Sequence, residues 1–256
     1  MIRHRALWIA IAWVVLIISG ASTTGLLRAA VTNQSVVPFA YQTHRFAGTL
    51  VGLLGLAQLI RIGRHNGWTW LGAALVAGTV ALGWISAASL EPRTVAAHAF
   101  VAALATVALS SLESTPLGSS VSAPARRARW VAVSLQIAVG LVCAQVALGA
   151  MLRHQQIGLT SHLLVGGLAA LALLAPATAI LQDAASPAVE RHAAQWAITA
   201  VIVQVALGGA VWLMIVIGPP SVASWLAATV AHVTVGTLTL VVAVRFLFAL
   251  PSRVRQ

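Results

Sequence analysis

The chain has 256 residues, 60% of them hydrophobic and only 7% charged, where a soluble domain carries about a quarter charged residues. Fifteen Lys+Arg against four Asp+Glu give a formal charge of +11. Every base is an Arg lying between apolar runs, so these residues read as topology determinants rather than a nucleic-acid face, and the single cysteine, Cys143, excludes an intramolecular disulfide and a cysteine metal cluster.

A bilayer core takes about 20 apolar residues per helix. Charge-poor intervals of that kind predict spans at 6–29, 43–62, 68–90, 94–112, 130–152, 159–181, 193–217 and 222–249. The first is long, has the short flank Arg3-His4-Arg5 and is followed by seven more, so it reads as a retained helix rather than a signal peptide. The second is short and is extended by Arg45, which can snorkel to the headgroups. The interval from Arg191 to Arg245 is too long for one span and is split by Gly218-Pro219-Pro220-Ser221, a turn signal. Open strands are excluded, because their backbone groups would go unpaired in lipid. The longest polar stretch, 114–129, is the expected linker between an N-terminal half, 1–113, and a C-terminal half, 130–256. The expected fold class is thus all-α integral membrane, with eight transmembrane helices as two pseudo-repeated four-helix bundles. With the N-terminus inside, eleven Arg fall on inner segments and four (Arg28, Arg45, Arg93 and Arg153) on outer ones. That bias places both termini in the cytoplasm, and Trp8, Trp68, Trp70, Trp130 and Trp196 then mark the inner helix ends.

The string Gln-Val-Ala-Leu-Gly occurs at Gln145–Gly149 and again at Gln204–Gly208. More telling, His44, His98, His162 and His232 fall one each in the second, fourth, sixth and eighth spans. All four lie toward the outer side, with His232 a turn or two deeper. Histidine within a membrane span is rare and marks a functional site by default. Four residues after each comes a small residue, Gly48, Ala102, Gly166 or Gly236, one turn on along the same face, where a flat macrocycle would need room. Zinc or copper also accepts imidazole, but two bis-His haems, one per four-helix half, fit the pairing better. One cysteine cannot make a c-type attachment, so any haem is held without thioether bonds. His4, His65, His154 and His192 sit beside Arg at helix ends or in loops and read as solvated.

With one His in each even span and internal two-fold repetition, the chain resembles the haem A synthase family over nearly its whole length. The best local match is Tyr41-Gln42-Thr43-His44-Arg45-Phe46-Ala47-Gly48, where the family writes Glu-x-x-His-Arg followed shortly by Gly. Ala97-His98, Ser161-His162, Ala231-His232 and the Gln-x-x-Leu-Gly pattern are also similar to family sequence. The resemblance implies that His44 and His98 hold the substrate haem O, and that His162 and His232, with Gly166 and Gly236, hold a haem B cofactor. It further implies oxidation of a haem methyl to a formyl group by two hydroxylations and loss of water, giving haem A for cytochrome oxidase. Haem O synthase, an electron acceptor and a second copy of the chain are the partners it suggests, in a plasma or inner membrane.

One departure stands out: the motif's Glu is Tyr41 here. Methyl oxidation by electron loss develops positive charge that a carboxylate would stabilise. Tyr41 can order a water or take part in a proton or radical step but supplies no charge while protonated. Arg45 has the wrong sign for that charge and suits a haem propionate, or serves only as an interfacial charge. The acids Glu91, Glu113, Asp183 and Glu190 all lie at or beyond helix ends. The cysteine pair of many family members is also absent. Two alternatives therefore stay open beside a synthase. One is a haem-binding paralogue in electron transfer or oxidase assembly; the other is a quinone-linked dihaem cytochrome b.

Overall fold

In lipid each backbone N–H and C=O must find its partner within the chain, and an α-helix provides that within a single segment. The computed structural model describes residues 12, 15–22, 36–62, 67–89, 91–111, 125–219 and 221–250. Every regular element among them is an α-helix. We number these α1 (residues 15–22), α2 (Val36–Ile62), α3 (Gly67–Ser89), α4 (Pro92–Ser111), α5 (Ala125–Arg153), α6 (Leu159–Gln182), α7 (Ala188–Ile217) and α8 (Val222–Ala249). Six of them, α3 to α8, are long and apolar enough to cross a membrane.

Three helices begin well before the spans predicted for them. α2 starts at Val36 and runs through Arg45, α5 starts at Ala125 ahead of Arg129, and α7 starts at Ala188 ahead of Arg191. Charge marks where the hydrocarbon ends, whereas a helix continues into the headgroup layer until its sequence stops it. The stop at Gly218 is local: its φ of 85° lies in the left-handed region, which glycine adopts without steric cost. Ser221 then caps α8 by accepting the Ser224 N–H at 3.1 Å, so the Gly218–Ser221 turn divides the long interval as expected.

Packing relies on small residues. α5 contacts α6, α6 contacts α7, α7 contacts α8, and α8 returns to α5, closing a ring. Its interior holds Val131, Leu135 and Ala138 of α5, Leu173 and Ala177 of α6, Ala194 and Ala197 of α7, and Ala243 and Phe246 of α8. Alanines at the contacts let the helices approach closely, which is how association proceeds where lipid already solvates apolar surface. A second cluster joins Leu16 of α1, Ala47 and Val51 of α2, and Ala105 and Leu109 of α4. α4 also packs against α5 and α8, where Val142, Ala169, Leu240 and Val244 are buried together. The outward faces carry large apolar side chains, among them Trp84, Leu171, Val205 and Ile217, as a lipid-facing surface would.

The ring's buried core lies at the N-terminal ends of α5 and α7 and the C-terminal ends of α6 and α8. Phe246 is fully buried there. Phe246→Ala is expected to lower the melting temperature in detergent, with the roughly 3–5 kcal/mol of a water-soluble core as an upper bound. Leu171→Ala, on the exposed face, is expected to melt like the wild type. Equal melting of all three proteins would contradict the packing described.

Candidate functional site

The opposite end of the bundle holds the histidines. α2, α4, α6 and α8 each bring one imidazole inward, and the four rings meet as two pairs. His44 and His98 have ring centroids 6.2 Å apart with planes at 85°. His162 and His232 have centroids also 6.2 Å apart, with planes at 74°. His232 lies further along its helix than His162 does, yet the two rings pair directly. The α7–α8 hairpin projects further beyond the site to allow this. Both pairs lie toward the same end: Arg153, one turn beyond Gly149 on α5, donates a hydrogen bond to the Ala21 carbonyl of α1, next to Gly20.

Hydrogen bonds fix the nitrogens differently in the two pairs. His98 Nδ1 is 2.9 Å from the Thr79 carbonyl, an acceptor, so Nδ1 carries the proton and Nε2 keeps its lone pair. The Ser19 hydroxyl donates to the Leu16 carbonyl at 2.9 Å, and its oxygen is 3.2 Å from His44 Nδ1. With the hydroxyl hydrogen so used, Ser19 accepts from His44, and Nε2 again keeps its lone pair. Ligating histidines are commonly oriented in this way, by a partner on the other ring nitrogen. In the second pair an amide meets the ring: Gln145 Nε2 lies 3.1 Å from His162 Nε2, and Gln204 Nε2 lies 3.4 Å from His232 Nε2. Nδ1 of His162 and Oε1 of both glutamines are then buried without a hydrogen-bond partner. Three such atoms in one place are unusual in a folded protein.

The donor chemistry can be tested against a metal. Two imidazole nitrogens about 2.0–2.1 Å from one metal, with ring centres roughly 1.1 Å further out, would put the centroids about 6.3 Å apart if the rings faced each other across it, and only about 5.1 Å apart at a tetrahedral angle. Both pairs match the wider spacing. Among the described residues no group of three or more His, Cys, Asp or Glu comes together. A bare tetrahedral ion would therefore lack two of its ligands at either pair. A macrocycle that brings four nitrogens of its own needs only two axial imidazoles, so the residues present fit haem. The gap beside Gly166 and Gly236 is filled, however. A Cβ on Gly166 would come 2.8 Å from Gln145 Nε2, and one on Gly236 would come 3.1 Å from Gln204 Nε2. Both amides have to swing aside for a macrocycle to reach the backbone there. At the other pair a Cβ on Gly48 would meet only Leu16, at 3.6 Å.

The remaining candidates lie around this frame. Arg45 follows His44 on α2 with its side chain exposed. Tyr41 falls on the same helix one turn earlier; its side chain is outside the described residues, as is Glu113. Glu91 caps α4, accepting from the Thr94 backbone N–H at 2.8 Å and from its hydroxyl at 3.0 Å. The bond from the backbone N–H holds its carboxyl below the ordinary range. Asp183 ends α6 and Glu190 lies in the first turn of α7, both at the end remote from the histidines. His192 is also remote, accepting a hydrogen bond from the Trp196 indole N–H at 3.2 Å.

Gln145 and Gln204 as direct partners of the histidines were not anticipated from sequence, nor were Ser19 and Thr79. The duplicated pentapeptide held the signal: its first and last residues, four apart, share one helix face, with glutamine on the ring nitrogen and glycine against the ring edge. In comparisons with known proteins, the chain matches no family model, no curated protein and no solved structure.

Proposed function

We propose that this chain is a two-haem membrane oxidoreductase of the haem A synthase type. It is read as two pseudo-repeated four-helix halves in a plasma or inner membrane, with both termini cytoplasmic and both haem sites toward the outer side. The observation that carries this reading is the duplicated histidine pair, with the same 6.2 Å separation in each half. Haem O is the proposed substrate at His44 and His98, and haem B the resident cofactor at His162 and His232. Bound haem supplies the redox chemistry by which the substrate's methyl group becomes a formyl group. The chain's own residues would orient and neutralise: Ser19 and Thr79 hold the Nδ1 side of the first pair, and Arg45 would meet a propionate. Cytochrome oxidase is the proposed destination of the product, with haem O synthase, an electron acceptor and a second copy of the chain as candidate partners.

A second reading has an observation of its own. No described carboxylate joins the His44–His98 pair, and Glu91 is committed to capping α4. That favours a haem-binding paralogue acting in electron transfer or oxidase assembly.

Purified protein, expressed with and without a supply of haem O, separates these readings by haem extraction and mass analysis. A synthase is expected to show low-spin bis-His absorption, to retain haem B in both cases, and to yield haem A only when haem O is supplied. Haem B alone in both preparations supports the paralogue, and absence of haem overturns both. Topology is checked independently. Reporter fusions after Gln256 and within 114–129 are expected to report the cytoplasm, and fusions near Pro92 and Pro219 the outside. An odd number of crossings would overturn the orientation.

A further inference from the structure

Among the described residues the helices fall into four consecutive pairs, α1–α2, α3–α4, α5–α6 and α7–α8, and all four share one contact. In each, the edge of the histidine on the second helix rests against a glycine on the first. A Cβ added at Gly20 would lie 2.9 Å from His44 Cε1; at Gly83, 3.1 Å from His98 Cε1; at Gly149, 3.1 Å from His162 Cε1; and at Gly208, 3.0 Å from His232 Cε1. At each of the four, the nearest atoms such a Cβ would meet all belong to that histidine, with none from a neighbouring backbone. These glycines are therefore not simply the small residues that let two helix backbones approach. Their vacant side is taken up by an imidazole.

The contact point matters chemically. Cε1 lies between the two ring nitrogens, so a displacement there moves both of them. The other side of the ring is constrained too: His98 is tied to the Thr79 carbonyl and His44 to Ser19, each of these partners a turn or less before the glycine. A ring displaced from its glycine by a few tenths of an ångström changes that bond, its distance to the opposing imidazole, or both. Glycine inside a helix is less favourable than alanine. Four helices bear that cost at the one place where an imidazole leaves no space for a methyl group.

We infer that Gly20, Gly83, Gly149 and Gly208 are positioning residues for the four histidines, each forming a seat that sets the separation at which two imidazoles grip one haem iron. This rests on the two-haem reading above. It also accounts for the duplicated pentapeptide in functional terms, since its terminal glycine is the seat in α5 and in α7.

Gly208 has a built-in control beside it, because a Cβ on Gly209 would meet nothing within 4 Å. Wild type, Gly208→Ala, Gly149→Ala and Gly209→Ala are purified in detergent and titrated with haemin. Affinity is followed by the Soret band and axial ligation by low-spin electron paramagnetic resonance. Alanine favours the helix in every variant, so weaker haem binding cannot come from lost helix propensity. The two seat variants are expected to bind haem at the His162–His232 pair about tenfold more weakly or worse, the scale of disrupted ligand orientation, with shifted low-spin g-values. Gly209→Ala is expected to match the wild type. Wild-type affinity and g-values in both seat variants would overturn the inference alone, as would equal impairment in Gly209→Ala. Loss of monodisperse, helical protein in both seat variants would assign these glycines to helix packing and also overturn it. A wild type that takes up no haemin overturns the two-haem reading, and the inference with it.

Discussion

In protein expressed with a supply of haem O, His232→Ala is expected to leave one haem per chain where the wild type carries two, and His98→Ala is expected to do the same for the other site. Each bis-imidazole pair is confined to its own half: His98 meets His44, and His232 meets His162, each at 6.2 Å. Removing one ring leaves a single axial imidazole and a space that the neighbouring helices cannot fill. The surviving ligand in each case is His44 or His162, and five-coordinate, high-spin absorption is the expected signature of any haem that remains there. Insertion should be unaffected, since it follows the hydropathy of the spans. The double variant is expected to carry no low-spin haem. His192→Ala is the control, because His192 sits at the remote end with Trp196. Two haems in both single variants would sink the assignment of these pairs, and a loss shared by His192→Ala would point to general misfolding.

Apolar runs and their Arg boundaries made the helices legible, and the Gly218–Ser221 break was readable because left-handed backbone and a serine cap are local properties. Helix starts were not legible in the same way. Arg126, Arg127 and Arg129 lie within α5, and Arg191 within α7, because charge ends the hydrocarbon span without ending the helix. The histidines could be grouped from their depth, since alternate helices run in one direction. Their immediate partners could not, because contacts between helices depend on a register that no single helix records. Gly20 precedes His44 by a far longer connection than Gly149 precedes His162, so the shared contact has no fixed spacing in sequence.

That contact also shows how the two pairs differ. The position one turn before the seat is Leu16 in α1 and Thr79 in α3, but Gln145 in α5 and Gln204 in α7. In the first pair the ring nitrogens that would ligate are free of amides. In the second they meet Gln145 and Gln204, with His162 Nδ1 and both glutamine Oε1 atoms left unpartnered.

Tyr41→Glu is expected to raise haem A formation about tenfold without changing haem content. Tyr41 lies on α2 one turn before His44, and residues three apart share a helix face, which puts this position on the face of the haem proposed at His44. Oxidation at a methyl group by electron loss develops positive charge, and a nearby fixed negative charge stabilises it. Tenfold corresponds to about 1.4 kcal/mol, within reach of one partly solvated carboxylate. None of the described acids already supplies that charge: Glu91 is held by Thr94, and Asp183 and Glu190 are at the far end. His44→Ala and His98→Ala are expected to abolish activity in the wild-type and the Tyr41→Glu background alike, since both ligands of the reacting haem are needed. The assay is haem A accumulation in cells that make haem O but lack a synthase of their own, with extracted haem B as the internal measure of folded protein. No haem A from either wild type or Tyr41→Glu, with haem B retained in both, would defeat the synthase reading and leave a haem-binding paralogue as the function of this chain.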